Sequence, residues 1–225
     1  MIVGGADGCR TGWVVCRRDT TDGALDIRVV KTLADACESL SILAVDMPVG
    51  LLDSPRPGRA CESEARTLLP GKTSSVFPSP CRPALACSNY AEANATSKKL
   101  GAGLTQQAFN LFPKLRELDA LLRGSTRLQC VVREAHPELA FARMNAGKPV
   151  LSKKRRPEGF AERLHLLERH GFPWQPRSLP GAARDDVLDA MAVCRTALLI
   201  ARGAATRLGP EQERDRYGLP MNIWF

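Results

Sequence analysis

Ile42-Leu43-Ala44-Val45 is an uninterrupted apolar run of strand length that stops at Asp46-Met47-Pro48. A strand apolar on both faces needs cover on both, as a central strand of a layered α/β sheet has. The residues upstream limit what can lie beside it. Ile2–Ala6 is a short apolar strand closing at Asp7-Gly8, and Trp13–Arg18 reads as the next. After a polar turn over Asp19–Gly23, Leu25–Val29 alternates apolar and polar residues, as a half-exposed strand does. Three strands joined by short turns form an antiparallel meander, and a short helix over Leu33–Ser39 returns the chain parallel to the first of them.

Beyond Asp46 the composition changes. Residues 53–60 and 70–83 are rich in Pro, Gly, Ser and Arg, with helices expected over Cys61–Leu69, Tyr90–Leu100 and Thr105–Leu122. The stretch 53–126 therefore reads as a helical insertion within one domain rather than a domain of its own. Leu128–Arg133 is expected as a fifth strand ending at Glu134, and His136-Pro137-Glu138 opens a helix. Pro157–His170 and Asp186–Arg202 are the last two helices. This order predicts an α/β fold with a mixed five-stranded sheet, order 3-2-1-4-5, and flanking helices. That is the plan of a ribonuclease H-like core; a generic doubly wound fold is the alternative.

At 225 residues, 44% apolar and 25% charged, the chain is of globular composition, and no apolar run reaches the roughly 20 residues of a membrane span. The N-terminus has neither a basic region nor a long apolar core, so it does not read as a signal peptide, and a cytoplasmic protein is expected. A net charge of +8 favours phosphate-rich partners such as nucleic acid, although solubility alone also explains it. Aromatic residues are only 5%, which does not favour a base-stacking platform. None of the eight cysteines forms a Cys-x-x-Cys pair, and no His follows at zinc-finger spacing, so they read as buried, reduced thiols.

The chemistry concentrates in acidic residues that close elements. Asp7 ends the first strand, Asp46 the fourth and Glu134 the fifth, with Glu138 one turn on, while Asp185, Asp186 and Asp189 start the last helix. In the inferred sheet Asp7, Asp46 and Glu134 converge at one edge, and the last helix can add its own Asp. Carboxylates forced together raise one another's pKa, and a divalent cation relieves the repulsion. Mg²⁺ or Mn²⁺ suits oxygen ligands and phosphate substrates, and two such ions can activate a water and stabilise the leaving oxygen of a phosphodiester. Each residue alone also has a structural explanation: a strand-end turn at Asp7, an Asx turn at Asp46, an N-cap at Asp185 or Asp186, an ion pair at Glu134. Their joint position favours the metal site. In the last helix Ala190, Val193, Ala197 and Ile200 share a stripe that has Asp186 near its centre and Asp189 on its flank. Asp185 points to the polar side. Asp186 and Asp189 are thus the expected ligands and Asp185 the expected cap.

Several residues are candidates for holding substrate. Lys72, Ser74 and Ser75 offer a cation and hydroxyls in a loop, or form an ordinary turn. Lys153 and Lys154 lie in the densest basic run, Ser152–Arg156, suited to a nucleic-acid backbone or simply solvated. His136, beside the acidic edge, is a proton shuttle, a phosphate contact or a plain cap. The insertion, with Lys72 and Lys114 among its cations, is expected to wall the carboxylates.

Gly5-Ala6-Asp7-Gly8-Cys9-Arg10-Thr11-Gly12-Trp13, Val45-Asp46-Met47-Pro48-Val49-Gly50-Leu51 and Arg59-Ala60-Cys61-Glu62-Ser63-Glu64-Ala65-Arg66 occur in order, followed by Ser74-Ser75-Val76-Phe77-Pro78 and Glu134-Ala135-His136-Pro137-Glu138. Asp185-Asp186-Val187-Leu188-Asp189-Ala190 and the closing Ile223-Trp224-Phe225 complete the series. The set resembles the family of domain of unknown function 429, described as predicted ribonuclease H-like nucleases. The Asp-x-x-Asp-Ala element is also similar to that of Holliday-junction resolvases. The resemblance implies a ribonuclease H-like fold. With the carboxylates it gives the expected function, metal-dependent hydrolysis of nucleic-acid phosphodiesters. The rivals are a phosphate-ester hydrolase or phosphotransferase acting on a small molecule, and a non-catalytic nucleic-acid-binding protein.

Overall fold

The structure, a computed structural model, describes residues 1–225. Strands β1 (Ile2–Cys9), β2 (Gly12–Asp19) and β3 (Leu25–Val30) form the antiparallel meander, and α1 (Leu33–Ala36) leads to β4 (Ile42–Val45). Thr32 caps α1, accepting from Asp35 N, while Asp35 accepts from Thr32 N, so the helix start is fixed from both sides. β4 pairs parallel with β1, and β5 (Val132–Glu134) parallel with β4, giving the sheet order β3-β2-β1-β4-β5. This mixed five-stranded order is that of a ribonuclease H-like sheet.

Between β4 and β5 run α2 (Ala60–Thr67), a 3-10 turn over Thr73–Ser75, α3 (Arg82–Leu85), α4 (Tyr90–Lys99), α5 (Gln106–Asn110), α6 (Phe112–Arg123) and α7 (Thr126–Val131). Then follow α8 (Pro137–Met144), α9 (Pro157–Arg169), α10 (Arg184–Ala201) and a small ladder of β6 (Arg207–Leu208) with β7 (Ile223–Trp224). No helix is long and apolar enough to cross a membrane.

Strand alternation sorts the core into two layers. Ala6, Trp13, Val15, Leu43, Val45 and Val132 pack with α1, α3, α5 and α6 on one face. Val3, Val14, Cys16 and Ala44 pack with α8, α9 and α10 on the other. On α6, Leu115, Leu118 and Leu122 recur at helical spacing and are buried, each contributing about 1.5–3 kcal/mol by leaving water.

The structure differs from the sequence expectation at several places. The helix expected over Thr105–Leu122 is broken at Leu111, because Pro113 has no N–H to donate to the preceding turn. The strand expected over Leu128–Arg133 is mostly α7, which Ser125 starts by accepting from Leu128 N at 3.3 Å. That helix leaves Cys130 exposed; of the other cysteines only Cys87 is not buried, and all eight are free thiols. β1 runs past Asp7 to Cys9, since the hairpin with β2 continues after β4 has ended. Finally, α10 starts at Arg184 and not at Asp186.

Candidate metal centre

Ala6 of β1 lies opposite Val45 of β4, so the next residues, Asp7 and Asp46, leave the two strands side by side. The Asp46 N–H donates to the Ala6 carbonyl at 2.9 Å, which fixes that register. Val3 and Ala44 face α10, and alternation by two puts Asp7 and Asp46 on that same face. Gly5 makes the close approach of the helix possible. A Cβ there would stand 2.2 Å from the Ala190 carbonyl oxygen and 2.1 Å from the Cys194 nitrogen. Asp189, next to Ala190, is thereby brought down onto the strand ends. Carboxylate oxygens of Asp7, Asp46 and Asp189 all lie within 4.8 Å of one another.

Burial pushes all three carboxyls up. Asp7 is well above its ordinary value, with the charges of Asp46 and Asp189 adding to the effect of burial. Asp46 rises to about 7 through burial, opposed by Lys154 and reinforced by Glu138. Asp189 likewise rises to about 7, burial again outweighing Lys154, with Asp46 adding. The Lys154 ammonium touches the Asp189 carboxylate. Burial would lower its pKa, but Asp189 raises it above the ordinary lysine value. The loop carrying Lys154 is held from below. Gly159 lets the Lys153 carbonyl approach to where a Cβ would stand 2.3 Å away. Buried Arg163 donates to the carbonyls of Val150 and Ser152 at 3.2 and 3.0 Å. Three hard oxygen donors suit Mg²⁺ or Mn²⁺.

The other acidic residues named from sequence lie outside this group of three. Glu134 follows Val132 by two residues and so shares its face, turned away from α10. There it accepts from both terminal nitrogens of buried Arg59 and from Val49 N at 2.7 Å. Glu138 accepts from Arg163 Nη2 with both oxygens, at 2.8 and 2.9 Å. Asp186 is the third residue of α10, because the helix starts two residues earlier than expected, and its carboxylate accepts from Ala183 N at 2.8 Å. The capping expected of Asp185 therefore falls to Asp186. Asp185 is buried, 3.1 Å from Arg155 and 3.9 Å from Lys154. α10 is buried almost all round, so no single apolar stripe marks which of its aspartates faces the strand ends.

A cavity of about 470 Å³ opens beside the carboxylates. Asp7, Asp46 and His136 bound it on the sheet side, and Ser75, Phe77 and Lys114 on the side of the segment between β4 and β5. That segment does stand as a wall beside the site. Lys72 is turned to Glu138 at 3.8 Å and to the Ser152 carbonyl at 3.4 Å. Ser75 donates its hydroxyl to the Lys72 carbonyl at 2.8 Å, while Ser74 and Lys153 are exposed. His136 Nε2 lies 3.2 Å from the Ser75 carbonyl, an acceptor, so the ring carries its proton on Nε2 and leaves Nδ1 buried without a partner. Burial lowers the His136 pKa, so the ring is neutral near pH 7.

Arg10 and Lys114 both line the cavity, and Lys114 runs along Gly8, 3.6 Å from where a Cβ would be. In the sequence Lys114 stands out only as one of the insertion's cations, and Arg10, Arg59 and Arg163 do not stand out. Arg163 had a signal: it lies three residues before Leu166 and four before Leu167, on the apolar side of α9. No curated protein and no solved structure matches the chain. The family described as Protein of unknown function (DUF429) matches residues 5–214, and the chain belongs to it.

Proposed function

We propose that this protein is a divalent-cation-dependent phosphodiesterase acting on nucleic acid. The observation that carries the reading is the convergence of Asp7, Asp46 and Asp189, of which Asp7 and Asp46 line the cavity. These three residues would hold Mg²⁺ or Mn²⁺, which when bound makes a water nucleophilic near neutral pH and neutralises charge on phosphate oxygens. Arg10 and Lys114 stand on the cavity wall to meet a phosphate. His136, neutral and with its Nδ1 lone pair unused, is equipped to take a proton at that atom. The wall from Ser75 to Ser79 is fixed, since Arg66 donates to the Val76 carbonyl at 2.9 Å and Glu62 accepts from Ser79 N at 3.1 Å.

The experiment is cleavage of single-stranded and duplex DNA and RNA with Mn²⁺ or Mg²⁺ by wild type and Asp46→Asn. Metal-dependent products from wild type and none from the variant support the reading; no cleavage of any substrate by wild type refutes it. One observation favours a second reading, hydrolysis of a small phosphate ester. The cavity's 470 Å³ falls within the roughly 300–1,000 Å³ usual for small-molecule sites. Salt separates the two: nucleic-acid binding weakens steeply from low to moderate salt, and small-molecule turnover does not.

A further inference from the structure

The charged groups around the carboxylates divide into those already balanced and those that are not. Glu134 has Arg59, and Glu138 has Arg163 with Lys72 beside it. Asp185 has Arg155 at 3.1 Å, and Asp186 is turned onto the N-terminal N–H of its own helix. Lys114 is engaged by Glu117 at 4.0 Å and by the Trp13 ring at 4.7 Å. His136 bonds the Ser75 carbonyl. What remains is Arg10 on the cavity wall, and Asp7, Asp46 and Asp189 with one cation in direct contact, Lys154, which also stands 3.9 Å from Asp185. With all three carboxyls ionised, as ligation of a cation requires, three negative charges against that one positive leave a deficit of two, the charge of a single divalent ion. The backbone just before Lys154 is pinned, since Arg163 donates to the Ser152 carbonyl and the Lys153 carbonyl passes close over Gly159.

We infer that the centre takes one divalent cation, not two, and that the Lys154 ammonium, seated on Asp189, is the fixed second cation. This rests on the metal reading proposed above and narrows it. The ammonium already contacts Asp189 Oδ2, a carboxylate that a second ion would have to share with it, and like charges that close repel. Lys154 would then share with the bound ion the stabilisation of charge on a phosphate held between them.

The test is Mn²⁺ stoichiometry on the full chain, by calorimetric titration together with electron paramagnetic resonance, for wild type, Lys154→Gln and Lys154→Arg. The expected result is one Mn²⁺ per wild-type chain and per Lys154→Arg chain. In Lys154→Gln a second equivalent is expected, with the exchange-coupled signal of a manganese pair. Two ions in wild type overturn the inference, as does a single ion in folded Lys154→Gln. The wild-type count alone decides the matter if the Gln variant does not fold. No ion bound by wild type overturns the metal reading itself, and this inference with it, a result distinct from finding two.

Discussion

The backbone of Gly5 lies directly under that of Ala190, at a distance no side chain could share. That contact lets α10 settle on β1, and it sets how far Asp189 stands from Asp7. Gly5→Ala should force strand and helix apart. Overpacking of this kind costs about 1–3 kcal/mol, and rigid backbone on both sides puts the cost at the upper end. The melting temperature should fall by roughly 4–10 °C for a domain of this size, and Mn²⁺ binding should weaken as the carboxylates separate. A melt within a degree of wild type would show that the approach is not tight.

Asp189 and Asp186 should behave differently. Asp189→Asn should lose Mn²⁺ binding, because its carboxylate belongs to the group of three. Asp186→Ala should keep it and lose only the hydrogen bond at the helix start, about 0.5–2 kcal/mol. Titration calorimetry and urea denaturation of the two variants measure these effects. Loss of Mn²⁺ binding in Asp186→Ala, with Asp189→Asn unaffected, would reverse the assignment.

The raised carboxyls make a signed pH prediction. Asp46 and Asp189 move from 3.8 to about 7 on folding, so between those values the folded chain holds protons that the unfolded chain has released. Their contribution to the stability of the metal-free protein is full below the unfolded pKa of roughly 4 and is lost as pH rises through about 7. Metal binding must displace those protons, so the gain in melting temperature from Mn²⁺ should be small at pH 5.5 and level off near pH 8. Melts across this range, with and without Mn²⁺, are the measurement. A gain that shrinks with rising pH would contradict the account.

Glu134 lines the same cavity as Asp7 and Asp46, but it forms a buried pair with Arg59. Arg59→Met leaves a buried carboxylate without its partner, at a cost of about 3–5 kcal/mol. Glu134→Gln should destabilise the fold while Mn²⁺ affinity stays close to wild type. Denaturant curves alongside Mn²⁺ titration of the two variants check this, and loss of Mn²⁺ binding in well-folded Glu134→Gln would make Glu134 a ligand after all.

The sheet order was legible because each strand carried its own pattern: the alternation in Leu25–Val29, the continuous run in Ile42–Val45, and the acidic residue after each parallel strand. Asp7 and Asp46 as neighbours followed from that order. Glu134 did not separate from them because its face depends on where β5 starts, and α7 takes most of the expected strand, leaving Val132–Glu134. Asp186 and Asp189 were ranked the wrong way round for a related reason. A helix buried on nearly every side has no single apolar stripe to read, and its start two residues earlier makes Asp186 the third helical residue, where its carboxylate accepts from Ala183 N. Arg59 was invisible because the partner that keeps it buried, Glu134, is distant in sequence; Arg163 showed only its place on the apolar side of α9, its partners, Glu138 and the carbonyls of the Lys154 loop, lying outside that helix.

The most direct measurement is the anomalous difference map of crystals soaked in Mn²⁺. The account predicts a peak bounded by the carboxylates of Asp7, Asp46 and Asp189, at the roughly 2.0–2.2 Å expected for small oxygen-ligated divalent cations, with the Lys154 ammonium alongside. A peak held instead by Glu134 and Glu138, or no peak at the group of three, would contradict it.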